Sequence, residues 1–94
     1  MWTVYESDEV SKVVRRLPKE VLKRYEKWKD IVRISGVGGL RAIKGFHDEK
    51  LKGSARDFRS SHLGDKYRVI YSIKEEQFVV RVIRISAHDY RGIP

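Results

Sequence analysis

The sequence contains no cysteine, one methionine and only two prolines among its 94 residues. Without cysteine the chain can form no disulfide, offers no thiolate to a metal ion and has no cysteine nucleophile. Domains of this size have thin cores, and many of them gain stability from disulfides or bound metals. A disulfide framework is excluded here.

Long apolar runs are also missing. No stretch approaches the roughly 20 apolar residues that a membrane span needs. The first six residues lack the charged and then apolar pattern of a signal peptide. We therefore expect a single intracellular domain that occupies residues 1–94.

Acidic residues are few relative to basic ones. The chain has 21 Lys and Arg against 13 Asp and Glu, which gives a formal net charge of +8 and an isoelectric point near 9.9. The hydrophobic fraction of 40% is ordinary for a folded domain and argues against disorder. The charge predicts an anionic partner, which is a nucleic acid, an acidic protein or a membrane surface.

Two stretches have the periodicity of amphipathic helices. Apolar residues at i, i+3, i+4 and i+7 mark a first helix over residues 10–17. Pro18 ends this helix and can occupy the first turn of the next, whose apolar face runs through residues 21–32. The glycine-rich stretch 36–39 is expected to close the helical region.

The remaining regular segments are rich in β-branched and aromatic residues. Residues 2–5 predict a first strand, and residues 55–63, 67–73 and 78–85 predict three more. Short turn-like links join the last three, which favours an antiparallel meander, whereas residues 40–53 are expected to form a loop. The order β-α-α-β-β-β predicts an α+β fold, with a helical hairpin packed on one face of a small, mainly antiparallel sheet.

Four arginines lie inside the predicted strands. Because side chains alternate across a strand, an arginine within an apolar run is expected to point away from the core. The helices can cover only one face of the sheet, so the other face would be basic and suited to a phosphate backbone. A solvated sheet face with scattered cations is the alternative. The four residues are Arg59, Arg68, Arg81 and Arg84.

The three histidines, His47, His62 and His88, do not have the spacing of a metal site. His88 follows the last strand, where a group that titrates near neutral pH beside arginines could serve phosphodiester cleavage by a 2′-hydroxyl. Glu49 is the matching carboxylate, and an exposed loop carboxylate is the alternative reading. Tyr90 could stack on a base.

Four segments, taken in order, resemble the RelE/ParE superfamily of type II toxins. Single motifs among them are weak, but their order and spacing are fairly specific. They are Leu51-Lys52-Gly53, Phe58-Arg59-Ser60-Ser61-His62-Leu63, Gly64-Asp65-Lys66-Tyr67-Arg68-Val69-Ile70-Tyr71 and Ile85-Ser86-Ala87-His88-Asp89-Tyr90.

The resemblance implies a RelE-like fold and a cytoplasmic toxin that a cognate antitoxin neutralises. Active members of the superfamily are mRNA interferases that cut mRNA in the ribosomal A site, so mRNA and rRNA are the further partners that it implies. The ParE branch instead inhibits DNA gyrase and lacks the nuclease residues. A degenerate domain that binds only RNA or its antitoxin is a third reading.

The resemblance also implies a set of catalytic residues. Glu49 stands two residues before Leu-Lys-Gly, where YoeB-like enzymes carry their general base. His62 matches a histidine of YafQ-like relatives that also contributes to catalysis, so either Glu49 or His62 would activate the 2′-hydroxyl. Arg68 matches the arginine that stabilises the phosphate. His88 with Tyr90 resembles the histidine and tyrosine that follow the last strand.

Two further points complete these expectations. One departure from the family pattern is Asp89, which separates His88 from Tyr90. No metal, no cofactor and no membrane partner are expected. The residues expected to bind RNA are Lys52, Arg59, Arg81 and Arg84.

Overall fold

The computed structural model describes residues 1–87 of the chain, which form two helices, five strands and three short 3₁₀ turns. The helices and strands are β1 (Thr3–Glu6), α1 (Asp8–Arg15), α2 (Lys19–Arg41), β2 (Glu49–Lys50), β3 (Arg59–His62), β4 (Arg68–Lys74) and β5 (Val79–Ser86). The 3₁₀ turns are Lys44–Phe46, Gly53–Ala55 and Glu75–Gln77.

The five strands form one sheet in the order β1-β5-β4-β3-β2. β1 pairs with β5 in parallel, and every other pair is antiparallel. A parallel pair requires a crossover connection, and α1 and α2 lie within it. The predicted α+β architecture is confirmed. β2 was not predicted, because a two-residue strand carries no readable alternation.

Local sequence explains how the helices start. The Ser7 hydroxyl caps α1 by accepting from the Val10 N–H at 3.2 Å, and Asp8 and Glu9 lie at the positive end of the helix dipole. α2 begins directly after Pro18. Although α2 has 23 residues, neither it nor any other helix in the described part of the chain is long and apolar enough to cross a bilayer.

The glycine-rich stretch does not close the helical region as expected. Gly36 adopts a left-handed φ of 67° and kinks α2, after which helical turns resume and continue to Arg41. Trp2 lies against the kink, where its backbone N–H donates to the Arg33 carbonyl at 3.0 Å. A Cβ at Gly36 would lie 2.8 Å from Trp2 Nε1. Glycine is therefore required both by the backbone angle and by the close indole.

The main core lies between α2 and the sheet. Trp28 is fully buried, stacks on Tyr25 with ring centroids 5.8 Å apart, and meets Tyr71 edge-on at 5.2 Å. Burial of each large apolar side chain stabilises the fold by about 1.5–3 kcal/mol. Other buried members of this core are Val10, Val32, Val37, Leu40, Phe46, Leu63, Val69, Val80, Val82 and Ile85.

A second, smaller cluster lies on the opposite face of the sheet. Ile70 stands between the core residues Val69 and Tyr71, so its side chain points away from the helices. Leu51 and Ala55 cover it, with Phe58 and Ile83 packed alongside. The expectation that this face is bare was therefore incomplete, because residues 51–58 fold over part of it. A register shift at Ile70/Tyr71 marks an irregularity between β4 and β5 at this point.

We predict that Gly36→Ala lowers the free energy of unfolding by about 1–3 kcal/mol, because an alanine there must adopt a positive φ and displace the Trp2 ring. Gly38→Ala is the matched control. Gly38 lies in α2, and a Cβ built on it meets nothing within 4 Å.

Alanine at position 38 should raise stability by up to about 1 kcal/mol, because it has the higher helix propensity. Urea denaturation of the two variants and the wild-type chain measures both effects. Equal effects of the two substitutions would contradict the importance of the contact between Gly36 and Trp2.

Candidate active site

Cross-strand pairing brings polar side chains together on the sheet face opposite the helices, here called the open face. Ser61 faces the helices, because its hydroxyl accepts the Trp28 indole N–H at 3.0 Å. Its neighbour His62 therefore points to the open face. His62 lies directly opposite Arg68, and Arg68 lies opposite Ser86.

Residues 47–49 add two more groups to this face. Glu49 pairs with Ser60, which is two residues from His62 and on the same side of β3. The His47 ring stacks on the His62 ring with centroids 4.8 Å apart and planes inclined by 28°. We call His47, Glu49, His62 and Arg68 the open-face cluster.

The electrostatics of the cluster favour a neutral imidazole at His62. Its pKa lies below the ordinary 6.5, first because burial disfavours the charged ring, then because Arg68 and His47 oppose a further positive charge. Glu49 acts in the opposite direction and raises the pKa of His62. A neutral imidazole can accept a proton at physiological pH.

Arg68 is anchored at the turn between β3 and β4. Its Nη1 donates to the Tyr67 carbonyl at 3.1 Å and to the Asp65 carbonyl at 3.3 Å. These bonds hold the guanidinium near the start of β4, where Arg68 pairs with His62. The cluster thus combines a fixed cation, a carboxylate and two imidazoles, which are the groups that acid–base cleavage of a phosphodiester uses.

The expectation that Arg59 lies on the open face was wrong. Arg59 lies opposite the core residue Tyr71, on the side of the sheet that carries the helices. Its Nη2 contacts Asp48 Oδ2 at 2.6 Å, and its side chain is only 14% exposed. Burial opposes the charge of the guanidinium, but the hydrogen bonds to Asp48 and Tyr71 outweigh it and raise the pKa of Arg59.

The other predicted strand arginines do reach the open face. Arg81 is exposed, pairs with Ser72 and lies over the Tyr5 ring at 5.3 Å. Arg84 is exposed opposite Ile70. Lys52 is exposed within the segment 51–58 that covers the second cluster. Their roles in RNA binding stay predictions.

Two predicted catalytic residues, His88 and Tyr90, lie outside the described residues, so their roles also stay predictions. Within residues 1–87, no group of three or more histidine, aspartate or glutamate side chains could hold a metal ion. Sequence reasoning gave no site role to His47, although it lies two residues before Glu49. It overlooked Asp48 altogether, because a lone aspartate in a charged loop has no distinguishing pattern.

Comparisons with known proteins show which solved structures share the fold of this chain. No family model matches the sequence, and no curated protein matches it. The chain is similar to a solved archaeal RelE–RelB complex from Pyrococcus horikoshii, with 28% identity, a TM-score of 0.71 and coverage of 90% of this chain and 92% of that one.

Two bacterial structures agree with this likeness. A YoeB–YefM complex from Staphylococcus aureus is 13% identical, with a TM-score of 0.71 and coverage of 95% and 99% of the two chains. The isolated RelE toxin of E. coli is 21% identical, with a TM-score of 0.68 and coverage of 99% and 90%. The chain therefore has a RelE/YoeB-like type II toxin fold, as the sequence motifs indicated.

We predict that charge removal in the cluster shifts the pKa of His62 in opposite directions. Arg68→Gln should raise it, because a repulsive cation is lost, and Glu49→Gln should lower it, because an attractive carboxylate is lost. NMR titration of the His62 ring measures both shifts. Lys27→Gln removes an exposed charge from α2 and serves as the control that should leave the pKa unchanged.

The same pKa has a consequence for stability. Since the folded chain binds the His62 proton less readily than the unfolded chain, the stability that this residue contributes is present above pH 6.5 and is lost as the pH falls. In Arg68→Gln that loss should be smaller. An unchanged pKa of His62 in both cluster variants would contradict the electrostatic coupling.

Proposed function

We propose that the chain is the toxin of a type II toxin–antitoxin system and that it is an endoribonuclease that cleaves mRNA in the ribosomal A site. The observation that carries the proposal is the meeting of Glu49, His62 and Arg68 on one face of a fold shared with RelE and YoeB toxins. Inhibition of gyrase, the alternative, gives this combination of groups no role.

The proposed reaction is an attack by the ribose 2′-oxygen on the adjacent phosphorus. A base takes the 2′-hydroxyl proton, the new O–P bond forms, and the bond from phosphorus to the 5′-oxygen breaks when an acid protonates the leaving oxygen. The products are a 2′,3′-cyclic phosphate and a 5′-hydroxyl. Arg68 would stabilise the negative charge of the phosphorane.

We assign the proton acceptor to His62. Its imidazole faces Arg68 across the strand pair, and its lowered pKa keeps it neutral near pH 7. Glu49 then acts on the same ring as an electrostatic partner, which stabilises the imidazolium that forms after proton transfer. His88 is assigned as the acid and Tyr90 as a stacking group on the strength of the family resemblance.

Expression tests the proposed catalytic residues. We expect the wild-type chain to arrest growth and produce cleavage of mRNA on ribosomes, seen by toeprinting. Arg68→Ala and His62→Gln should each lower cleavage by a factor of about 100 or more, and Glu49→Gln by a smaller factor. The cleavage rate should rise with pH through the pKa of His62, because the neutral ring is the base.

Lys27→Ala is the matched control, since it removes one exposed positive charge from the helical layer. It should remain toxic. Full cleavage by both Arg68→Ala and His62→Gln would show that the site is wrong. Loss of gyrase supercoiling without mRNA cleavage would favour the gyrase-inhibiting branch instead.

A cognate antitoxin is the second part of the proposal. Two of the similar structures are complexes of a toxin with RelB or YefM, and the net charge of +8 favours an acidic partner. We expect the product of a short, acidic neighbouring reading frame to co-purify with this chain and to abolish growth arrest. Because the attraction is between opposite charges, the association rate should fall as salt rises.

A further inference from the structure

Asp48 lies beneath the candidate site, and its side chain is fully buried, at 0% exposure. Each of its two carboxylate oxygens accepts two hydrogen bonds. Oδ2 accepts from Arg59 Nη2 at 2.6 Å and from Arg59 Nε at 3.1 Å. Oδ1 accepts from the Ser61 hydroxyl at 2.8 Å and from the Tyr71 hydroxyl. A buried carboxylate requires such complete pairing, because an unpaired charge in the core is costly.

These bonds continue into the main core. The Ser61 hydroxyl donates to Asp48 and accepts from the Trp28 indole N–H on α2. Tyr71 donates to Asp48 and contacts Trp28 edge-on. We call Asp48, Arg59, Ser61, Tyr71 and Trp28 the Asp48 network. It connects α2, through β3 and β4, to the segment that carries His47 and Glu49.

The ladder that joins this segment to the sheet is short. β2 pairs with β3 at only two positions, Glu49 with Ser60 and Lys50 with Arg59. Two ladder pairs at the edge of a sheet give weak constraint, whereas the charge-assisted bonds of Asp48 are short and buried. The side chain of Asp48 points towards the helices, while Glu49 shares the open face with His62.

The backbone conformation of His47 also indicates that its surroundings hold residues 47–49 in place. Its φ of 42° is left-handed, a conformation that costs a residue other than glycine about 1 kcal/mol or more. Such a residue persists only where its surroundings hold it. The next residue in the chain is the anchored Asp48, and the His47 ring rests on His62.

We propose that Asp48 is a positioning residue: its hydrogen bonds to Arg59, Ser61 and Tyr71 fix residues 47–49 so that His47 stacks on His62 and Glu49 reaches the same face. Asp48 itself does not touch the substrate. The effect on cleavage rests on the proposed function. The placement of the two histidine rings does not, so it can be tested without RNA.

The core supplies a matched control for this network. Tyr25 and Tyr71 are both fully buried beside Trp28, and each donates its hydroxyl to a carboxylate, Glu6 or Asp48 respectively. The pKa of both tyrosines lies well above the ordinary value, mainly because of burial and secondly because of the hydrogen bond to the carboxylate. Phenylalanine at either position therefore removes the same group from a similar environment, but only Tyr71 connects to residues 47–49.

NMR of the full chain tests the placement of the rings. The wild-type chain and Tyr25→Phe should show cross-peaks between the His47 and His62 rings. Asp48→Asn should lose them, and Tyr71→Phe should weaken them by about half or more. If Asp48→Asn fails to fold, Tyr71→Phe decides the question. Cross-peaks of wild-type intensity in Tyr71→Phe, or in a folded Asp48→Asn, would overturn the proposal.

Cleavage kinetics test the consequence for the site. Relative to the wild-type chain, Asp48→Asn should lower kcat by roughly 10- to 100-fold with KM changed by less than about twofold, because Glu49 and the His47 ring no longer support His62 while RNA contacts remain. Tyr71→Phe should lower kcat by a smaller factor. Tyr25→Phe should keep wild-type kcat per folded molecule, although it is less stable.

The two proposals fail in different ways. If the wild-type chain cleaves no RNA, the proposed function fails, while the NMR comparison still decides whether Asp48 positions the rings. If the wild-type chain cleaves RNA and Tyr25→Phe lowers kcat as much as Tyr71→Phe, the Asp48 network contributes stability alone and the positioning role is overturned.

Discussion

The hydrogen bond from the Trp28 indole to Ser61 is the constraint on which the site depends. Trp28 is fully buried between Tyr25 and Tyr71, so its N–H must find a partner inside the protein. Ser61 supplies that partner at 3.0 Å. Once Ser61 faces α2, the alternation of β3 directs His62 to the other face, and the pairing with β4 places Arg68 opposite it. The hydrogen bond of the Trp28 indole N–H in the core thus determines which side chains of β3 and β4 meet on the open face.

Two carboxylates, the partly buried Glu6 and the fully buried side chain of Asp48, extend this arrangement in opposite directions from Trp28. Glu6 accepts from Ser11 and Tyr25 and so ties β1 to both helices. Asp48 ties the edge of the sheet to the same core through Ser61 and Tyr71. In a low-dielectric interior, fully satisfied polar groups specify one geometry, because any shift leaves a costly unpaired group. A small core without disulfides can gain conformational specificity in this way, at the cost of desolvating charged groups.

The four arginines of the strands have different roles, because one is part of a structural ion pair and three face outward from the sheet. Arg59 lies beside Asp48 in a structural pair, while Arg68, Arg81 and Arg84 face outward from the sheet. Counting strand arginines overestimates the basic face by one residue. The fold itself tolerates wide sequence change, as its likeness to toxins of 13–28% identity illustrates.

The sequence alone determined the order of the longer elements and the helical hairpin, because hydrophobic period is a local property. Its motifs, through their resemblance to a known family, also singled out Glu49, His62 and Arg68 as candidates. It could not determine the phase of β3: Arg-Ser-Ser-His has no apolar alternation, so only contact with Trp28 decides that Arg59 faces inward. The kink at Gly36, the strand β2 and the buried position of Asp48 likewise depend on residues distant in the chain. A strand's own residues set which side chains share a face, but long-range packing decides which face meets the core.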